Sequence, residues 1–194
     1  MPLGAHKAAI MGVAGVSTGD VVLLHDTDYS NASTASITSG ITSTYGEYIF
    51  RFYNINPATD NVDFTFQANV VGESGYNETI TSTSFRAYHT EADATLLGYR
   101  AGSDQAEGTG YQVIQYGQGN GGDESSAGEL HLFNPASTTY VKHFYARSSG
   151  YYYGDQINDM YTAGYINVTG AIDDIQFAMS SGNFDGTIKM WGVK

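Results

Sequence analysis

The amino-acid sequence predicts an all-β protein: a jelly-roll-like β-sandwich of about ten strands with an extended N-terminal arm. The 194 residues include 24 Gly and 16 Tyr, and aromatic residues favour strands whereas Gly favours turns. Residues 62–70 alternate apolar and polar side chains with the period of two that is typical of a strand. Similar short segments recur along the chain with no amphipathic helix between them, as in sandwiches and barrels.

Residues 1–19 are small, Gly-punctuated and only weakly apolar. Because they show neither a helical stripe nor a strand alternation, we predict an attachment arm, followed by one β-sandwich domain over residues 20–194. Such a segment is ordered only when it docks on its own domain or on a neighbouring subunit. The arm residues expected to make this contact are Leu3, Ala5, Ile10, Met11 and Val13.

The first predicted strand contains the apolar run at residues 21–24. In the next clear strand, Tyr48, Phe50 and Phe52 share one face, and Ile49, Arg51 and Tyr53 share the other. After residues 62–70, further strands are predicted near residues 80–89, 95–100, 111–116, 129–133, 139–147, 160–168, 171–179 and 186–193.

Turn chemistry predicts the connections between these strands. Residues 54–61 and 134–138 each combine Asn and Pro, which favour hairpin loops. Residues 180–183 form another tight-turn sequence between the last two strands. The run at residues 151–155 is predicted to be a loop.

Charge and composition exclude several function classes. There are 8 Lys and Arg against 20 Asp and Glu, a net charge of −12, and the basic residues form no cluster. A nucleic-acid partner and a membrane surface are therefore not expected, because both require a basic patch. The absence of Cys excludes a disulfide scaffold, a thiol enzyme and a Cys-ligated metal site. Only 14% of residues are charged, so the polar surface is mostly neutral and an oligomer could bury it at little cost.

Two glycine motifs resemble functional signatures without their structural context. Residues 15–19 match G-x-S-x-G, which requires a strand-to-helix turn in an α/β sheet. Residues 117–122 match G-x-G-x-x-G, which places a pyrophosphate at a helix N-terminus. Here Asp123 and Glu124 follow instead, and then another strand. We therefore predict glycine-rich loops and no catalytic residue.

Histidine and carboxylate spacing predicts no metal site and no cofactor. None of the five His residues has a spacing typical of a zinc site. If residue 134 pairs with residue 139, His131 and His143 lie on opposite faces of their hairpin, although a one-residue slip would bring them together. The neighbouring Asp173 and Asp174 point to opposite faces of a strand. A structural cation held by loop acids is the alternative.

Four aromatic residues are the candidate contact residues: Tyr151, Tyr152, Tyr153 and the single Trp191. Exposed aromatic side chains suit protein interfaces and the stacking of sugars. Ordinary strand packing and loop anchoring is a third interpretation, and the sequence leaves all three open.

Two long stretches, residues 130–144 and 175–192, resemble jelly-roll structural proteins of tailed bacteriophages, especially phages of marine and cyanobacterial hosts. Residues 4–12 and 85–89 are similar to the same proteins. The resemblance implies a non-enzymatic virion protein, oligomeric and often trimeric, that decorates the capsid or belongs to a short appendage or tail fibre. Its expected partners are copies of itself and other capsid or tail subunits. The alternative is a carbohydrate-binding or receptor-binding module of a phage fibre, with a host glycan as ligand.

Overall fold

The computed structural model describes residues 20–194, and all regular elements in this range are β-strands. The all-β prediction is confirmed, with twelve strands rather than about ten. The predicted arm, with Leu3, Ala5, Ile10, Met11 and Val13, lies outside the described residues, as does the G-x-S-x-G motif. The strands are β1 (Val21–Ala32), β2 (Ala35–Ile37), β3 (Glu47–Pro57), β4 (Val62–Val70), β5 (Ile80–Thr90), β6 (Thr95–Tyr99), β7 (Gln112–Gln118), β8 (Ser126–Phe133), β9 (Lys142–Tyr152), β10 (Gln156–Ile166), β11 (Ile172–Met179) and β12 (Phe184–Val193).

The strands form one twelve-stranded antiparallel sheet that folds over into two layers packed face to face, and we call these layers the large sheet and the small sheet. The large sheet has the order β1-β12-β3-β8-β9-β10-β5-β6, and the small sheet has the order β2-β11-β4-β7. Hydrogen bonding joins the two sheets where Gln118 of β7 pairs with Tyr152 of β9. We call the face of the large sheet that points away from the small sheet its outer face.

Eight of the strands follow the jelly-roll order. The set β1-β12-β3-β8 faces the set β2-β11-β4-β7. The chain therefore changes sheet at each of the connections β1–β2, β2–β3, β3–β4, β7–β8 and β11–β12. This crossing pattern is that of a double-sheet jelly roll. The other four strands are two hairpin insertions, β5–β6 and β9–β10, which extend the large sheet beyond β8.

The prediction that residues 54–61 join two paired strands as a hairpin is wrong, because β3 and β4 lie in different sheets. Their inward aromatic side chains are buried against one another across the sandwich, with the rings of Phe52 and Phe64 5.1 Å apart. Side-by-side pairing would have placed these rings in one sheet and left the opposite sheet without them. Residues 180–183 also carry the chain from the small sheet to the large one.

The hairpin predicted around residues 134–138 is confirmed, but its register is not. Leu132 pairs with Phe144 and His131 with Tyr145, a shift of three positions from the predicted pairing. Because the shift is odd, His131 and His143 lie on the same face, and the prediction of opposite faces is wrong. The predicted loop at residues 151–155 is also shorter than expected, because β9 continues through Tyr152.

Phenylalanine rings from both sheets form the centre of the core. Phe177 of β11 is fully buried and lies 5.1 Å from Phe52 and 5.6 Å from Phe50, both on β3. On its own sheet it stacks with Phe64 at 5.9 Å. These contacts fix the small sheet against the first half of the large sheet.

A second, polar interior lies where the inserted strands β9, β10 and β5 cover β7. Ser148 donates to the Gln115 side chain at 2.6 Å, and Ser82 donates to the Gln112 side chain at 2.6 Å. Asn158, fully buried, donates to the Tyr116 carbonyl at 3.3 Å. We call this region the polar layer. Most of its buried side chains make at least one hydrogen bond, as buried polar groups require, although Gln115 Nε2 and Gln118 Oε1 have no partner among the described residues.

Candidate functional site

The four predicted contact residues do not form one surface. Tyr151 lies on the outer face, and its hydroxyl donates to Asp155 at 3.1 Å, which raises the pKa of Tyr151 to about 12. Tyr152 points to the opposite side, where it stacks on Tyr116 at 5.7 Å. Tyr153 lies in the turn after β9. Trp191 is on the outer face but on β12, three strands away from β9.

An apolar row crosses the outer face around Trp191. Cross-strand pairing places its members directly opposite one another on β1, β12, β3, β8 and β9: Leu23, Trp191, Ile49, His131 and Tyr145. The two ends of the row are open to solvent, with Leu23 48% and Tyr145 43% exposed. We call these five residues the apolar row.

His131 is the buried centre of this row. Its ring stacks on Tyr145 with centroids 4.4 Å apart and planes 16° from parallel. Its Nδ1 lies 2.5 Å from the Glu47 carboxylate, and its Nε2 lies 3.4 Å from Glu129. Within residues 20–194, no group of three or more His, Cys, Asp or Glu side chains is arranged to hold a metal ion. The ring therefore acts as a packing surface between two carboxylates.

A charged row runs beside the apolar row. Three ion pairs make it up: Asp26 with Lys189 at 2.9 Å, Arg51 with Glu129 at 3.4 Å, and Arg147 with Asp159 at 3.0 Å. Exposed pairs of this kind contribute little to stability. Their consequence is electrostatic, because the six charges cancel and leave this strip neutral in a chain of net charge −12.

Aromatic and aliphatic side chains continue the outer face across the inserted strands. Phe85 of β5 stacks on Tyr161 of β10 with centroids 4.8 Å apart and planes 4° from parallel. The guanidinium of Arg147 lies 4.9 Å from the centre of the Tyr161 ring. Beyond them, Leu97 and Tyr99 of β6 are exposed. The outer face is thus apolar at both ends, with the three ion pairs of the charged row between them.

A shallow groove of about 510 Å³ crosses the middle of the outer face. Its floor is formed by small residues such as Ala127 and Ser149, and Tyr53 and Ile157 are among its walls. Arg147 and Asp159 also line it. The groove thus offers one aromatic wall, two arginines and two carboxylates, Glu129 and Asp159, as hydrogen-bonding groups.

The G-x-G-x-x-G segment begins at the end of β7, which includes Gly117 and Gln118, and only its last four residues lie in the predicted loop before β8. The Glu124 side chain accepts a hydrogen bond from the N–H of Gly121 at 2.8 Å. A carboxylate therefore occupies the position over these glycines that a phosphate would need.

No protein-family model, curated protein or solved structure matches this chain. Among residues 20–194 there is also no helix with the length and hydrophobicity needed to cross a membrane. The function must therefore be inferred from the chemistry of the surface.

The sequence singled out Trp191 but missed the residues that accompany it. Leu23, Ile49 and Tyr145 each belong to a predicted strand, and the alternation in β3 already placed Ile49 on its outer face. Their alignment in one row depends on pairing between distant segments, such as residue 23 with residue 191. Local patterns carry no information about that pairing.

Proposed function

We propose that this protein is a non-enzymatic structural protein that associates with copies of itself through the outer face of the large sheet. The observation that carries the proposal is the apolar row beside a row of mutually neutralised charges. Leu23 and Tyr145 expose apolar area, and Trp191 is half-buried between them.

The composition of this face is that of a protein interface. Interfaces are enriched in aromatic residues and Arg, and the outer face combines Trp191, Tyr145 and Phe85 with Arg51 and Arg147. Monomeric proteins rarely expose contiguous apolar patches larger than a few hundred Å². Ion pairs that are already formed within one subunit also lower the cost of bringing two such faces together, because no unpaired charge is buried.

We further propose that the assembly belongs to the surface of a bacteriophage particle, as a capsid decoration protein or as a subunit of a short appendage or tail fibre. The support is the resemblance of residues 130–144 and 175–192 to phage jelly-roll proteins. The fold is compatible with this but does not decide it, because jelly rolls also occur in lectins and enzymes. On a particle, many copies make weak contacts effective, since each further contact becomes intramolecular.

The oligomeric state of the full chain tests the first proposal. We expect an oligomer, with three copies as the leading expectation, in sedimentation velocity and light scattering. The Tyr145→Glu variant should dissociate, because it places a third carboxylate beside Glu47 and Glu129. Val71→Glu is the matched control, because Val71 is also exposed (55%) but lies in the turn after β4, away from the outer face.

A monomeric wild-type protein at 100 μM or above, or equal dissociation by Tyr145→Glu and Val71→Glu, would overturn the self-association proposal. Circular dichroism and urea midpoints of both variants establish that they remain folded. Co-sedimentation with purified particles that lack the protein tests the location. Failure to bind any such particle would contradict the phage proposal and leave self-association intact.

The groove favours a second function, the binding of a glycan. Tyr53 provides an exposed aromatic wall, and Arg147 and Asp159 can hydrogen-bond to sugar hydroxyls. A glycan array should then show binding that Tyr53→Ala abolishes and Tyr140→Ala retains, since Tyr140 is exposed outside the groove. Absence of binding to any glycan would exclude this function.

A further inference from the structure

A cluster of arginine and tyrosine side chains lies on the inner side of the inserted strands. Arg86 of β5 and Arg100, which follows β6, meet Tyr116 of β7 and Tyr152 at the end of β9. We call these four residues the arginine–tyrosine cluster. It lies at the edge of the polar layer, on the opposite side of the large sheet from the apolar row.

The two guanidinium groups share one aromatic ring. The Cζ atom of Arg100 lies 3.8 Å from the centre of the Tyr116 ring, and that of Arg86 lies 5.3 Å from the same centre. Arg86 also lies 6.0 Å from the ring of Tyr152, which stacks on Tyr116. Stacking on tyrosine faces orients both guanidinium groups and leaves their N–H edges as the groups that can bind.

These two arginines have no acidic partner, unlike the basic residues of the charged row. Arg51, Arg147 and Lys189 each have a carboxylate within 4.0 Å. Among the described residues, no carboxylate lies within that distance of Arg86 or Arg100. The absence is notable because the chain has 20 acidic residues against 8 basic ones.

The hydrogen-bonding capacity of the two guanidinium groups is also largely unused. The Nε atom of Arg100 is buried with no hydrogen-bond partner in the described part of the chain. The side chain of Arg86 makes one long contact of 3.5 Å, to the side-chain oxygen of Asn158. Because the Nε atom of Arg100 is buried, a ligand would accept instead from the terminal nitrogens of the two guanidinium groups, which make no hydrogen bond to the described residues other than that of Arg86.

Asp63 is the acidic group that faces the cluster. Its carboxylate accepts a hydrogen bond from the N–H of Gly117 at 2.8 Å. Burial raises the pKa of Asp63, and the positive charge of Arg100 lowers it by a smaller amount. Asp63 is therefore bound to the backbone and does not neutralise the arginines by direct pairing.

The cluster is reachable from solvent. Arg86, Arg100, Tyr116 and Tyr152 are each only partly buried. Next to Tyr152, with ring centres 4.4 Å apart, Tyr153 is 43% exposed. A ligand could therefore approach from this side without disturbing the core.

We propose that the arginine–tyrosine cluster binds an oxyanion: a carboxylate, sulfate or phosphate group, either free or as the acidic group of a sugar. Guanidinium groups bind such groups by paired, charge-assisted hydrogen bonds. The tyrosine hydroxyls nearby supply neutral donors for further oxygens, and the exposed Tyr153 ring offers a stacking surface for a sugar.

Calorimetric titration of the full chain with inorganic phosphate, sulfate, acetate and glucuronate, at constant ionic strength, tests the proposal. We expect saturable binding of at least one anion and at least tenfold weaker binding in both Arg100→Gln and Arg86→Gln. Arg51→Gln is the matched control, because it removes the same charge from the outer face, and it should bind as the wild type does. Tighter binding of glucuronate than of acetate would identify an acidic sugar as the source of the anion.

Two further variants separate binding from folding. Arg100→Lys keeps the positive charge but removes the planar guanidinium group with its paired N–H donors. Tyr116→Phe keeps the aromatic ring but removes the hydroxyl. Both should stay folded, as urea midpoints would show, and both should bind more weakly. No binding of any of the four anions, or equal weakening by Arg51→Gln and Arg100→Gln, would overturn the proposal. The Tyr145→Glu variant should bind normally, so this result is independent of self-association.

Discussion

Replacing Phe177 by Ala should remove the central contact between the two sheets. Phe177 is fully buried, and its ring meets Phe50 and Phe52 of the large sheet at 5.6 and 5.1 Å. Truncating a buried Phe to Ala costs about 3–5 kcal/mol. Aromatic pairs of this geometry contribute about 0.5–1.5 kcal/mol each beyond their buried area. We therefore expect a loss of about 4–5 kcal/mol, near the top of the range for this substitution.

Urea unfolding at fixed protein concentration, followed by circular dichroism, measures this loss. Phe85→Ala is the control, because Phe85 is 40% exposed and stacks on Tyr161 at the surface. We expect it to cost about 1 kcal/mol, from one aromatic pair and a modest buried area. A loss below about 2 kcal/mol for Phe177→Ala, or equal losses for both variants, would show that this ring is not central to the core.

Three further predictions concern single positions, each checked by urea unfolding. Gly186→Ala should lower the free energy of unfolding by about 1–3 kcal/mol, because Gly186 has a φ of +146° and a Cβ there would lie 2.7 Å from Ile55. The control Gly46→Ala, which has open space around it, should change stability very little. Equal effects of the two substitutions would contradict this reasoning. Burial raises the pKa of Asp63 above 3.8, so the folded state loses stability as the pH rises above 3.8 and this carboxyl ionises. The Asp63→Asn variant should lack that loss. A variant with the wild-type dependence of stability on pH would refute the prediction. Burial lowers the pKa of Lys142 below 10.5, so the free energy of unfolding should increase as the pH rises toward 10.5. The Lys142→Met variant should lack this increase. If its free energy of unfolding depends on pH as that of the wild type does, Lys142 is not the group responsible.

The strands were largely predictable from the sequence, but their partners were not. The alternation in β3 correctly grouped Tyr48, Phe50 and Phe52 on one face, and the structure shows that this face is the buried one. For β4 the same pattern predicted a half-buried strand, yet Thr65 and Gln67 on its polar face are also buried. The Gln67 amide donates to backbone carbonyls of residues 78, 109 and 110, so a distant segment covers this face. The alternation of apolar and polar residues describes a single strand and does not show which other segment packs on its polar face.

The candidate site was only partly predictable, for the same reason. An aromatic residue such as Trp191 stands out in a sequence by its type. The apolar row and the ion pairs exist only because strands far apart in the chain lie side by side, such as β1 and β12. Likewise, Tyr151 and Tyr152 are adjacent in sequence but lie on opposite sides of β9, since neighbouring strand residues alternate.

The polar layer divides the molecule into two parts of unequal resistance to local opening. Buried rings hold β3, β4, β11 and β12 together, and one end of the inserted strands joins this core through Phe144 of β9, whose ring lies 5.0 Å from that of Phe66. Further along, the inserted strands meet β7 through Ser, Gln and Asn side chains. Water can replace those hydrogen bonds when the layer opens, but it cannot replace ring packing. The polar half of the inserted hairpins can therefore open locally while the jelly roll stays folded. Amide hydrogens near Arg86 of β5 and Asn158 of β10 would then exchange earlier than those of β3 and β11.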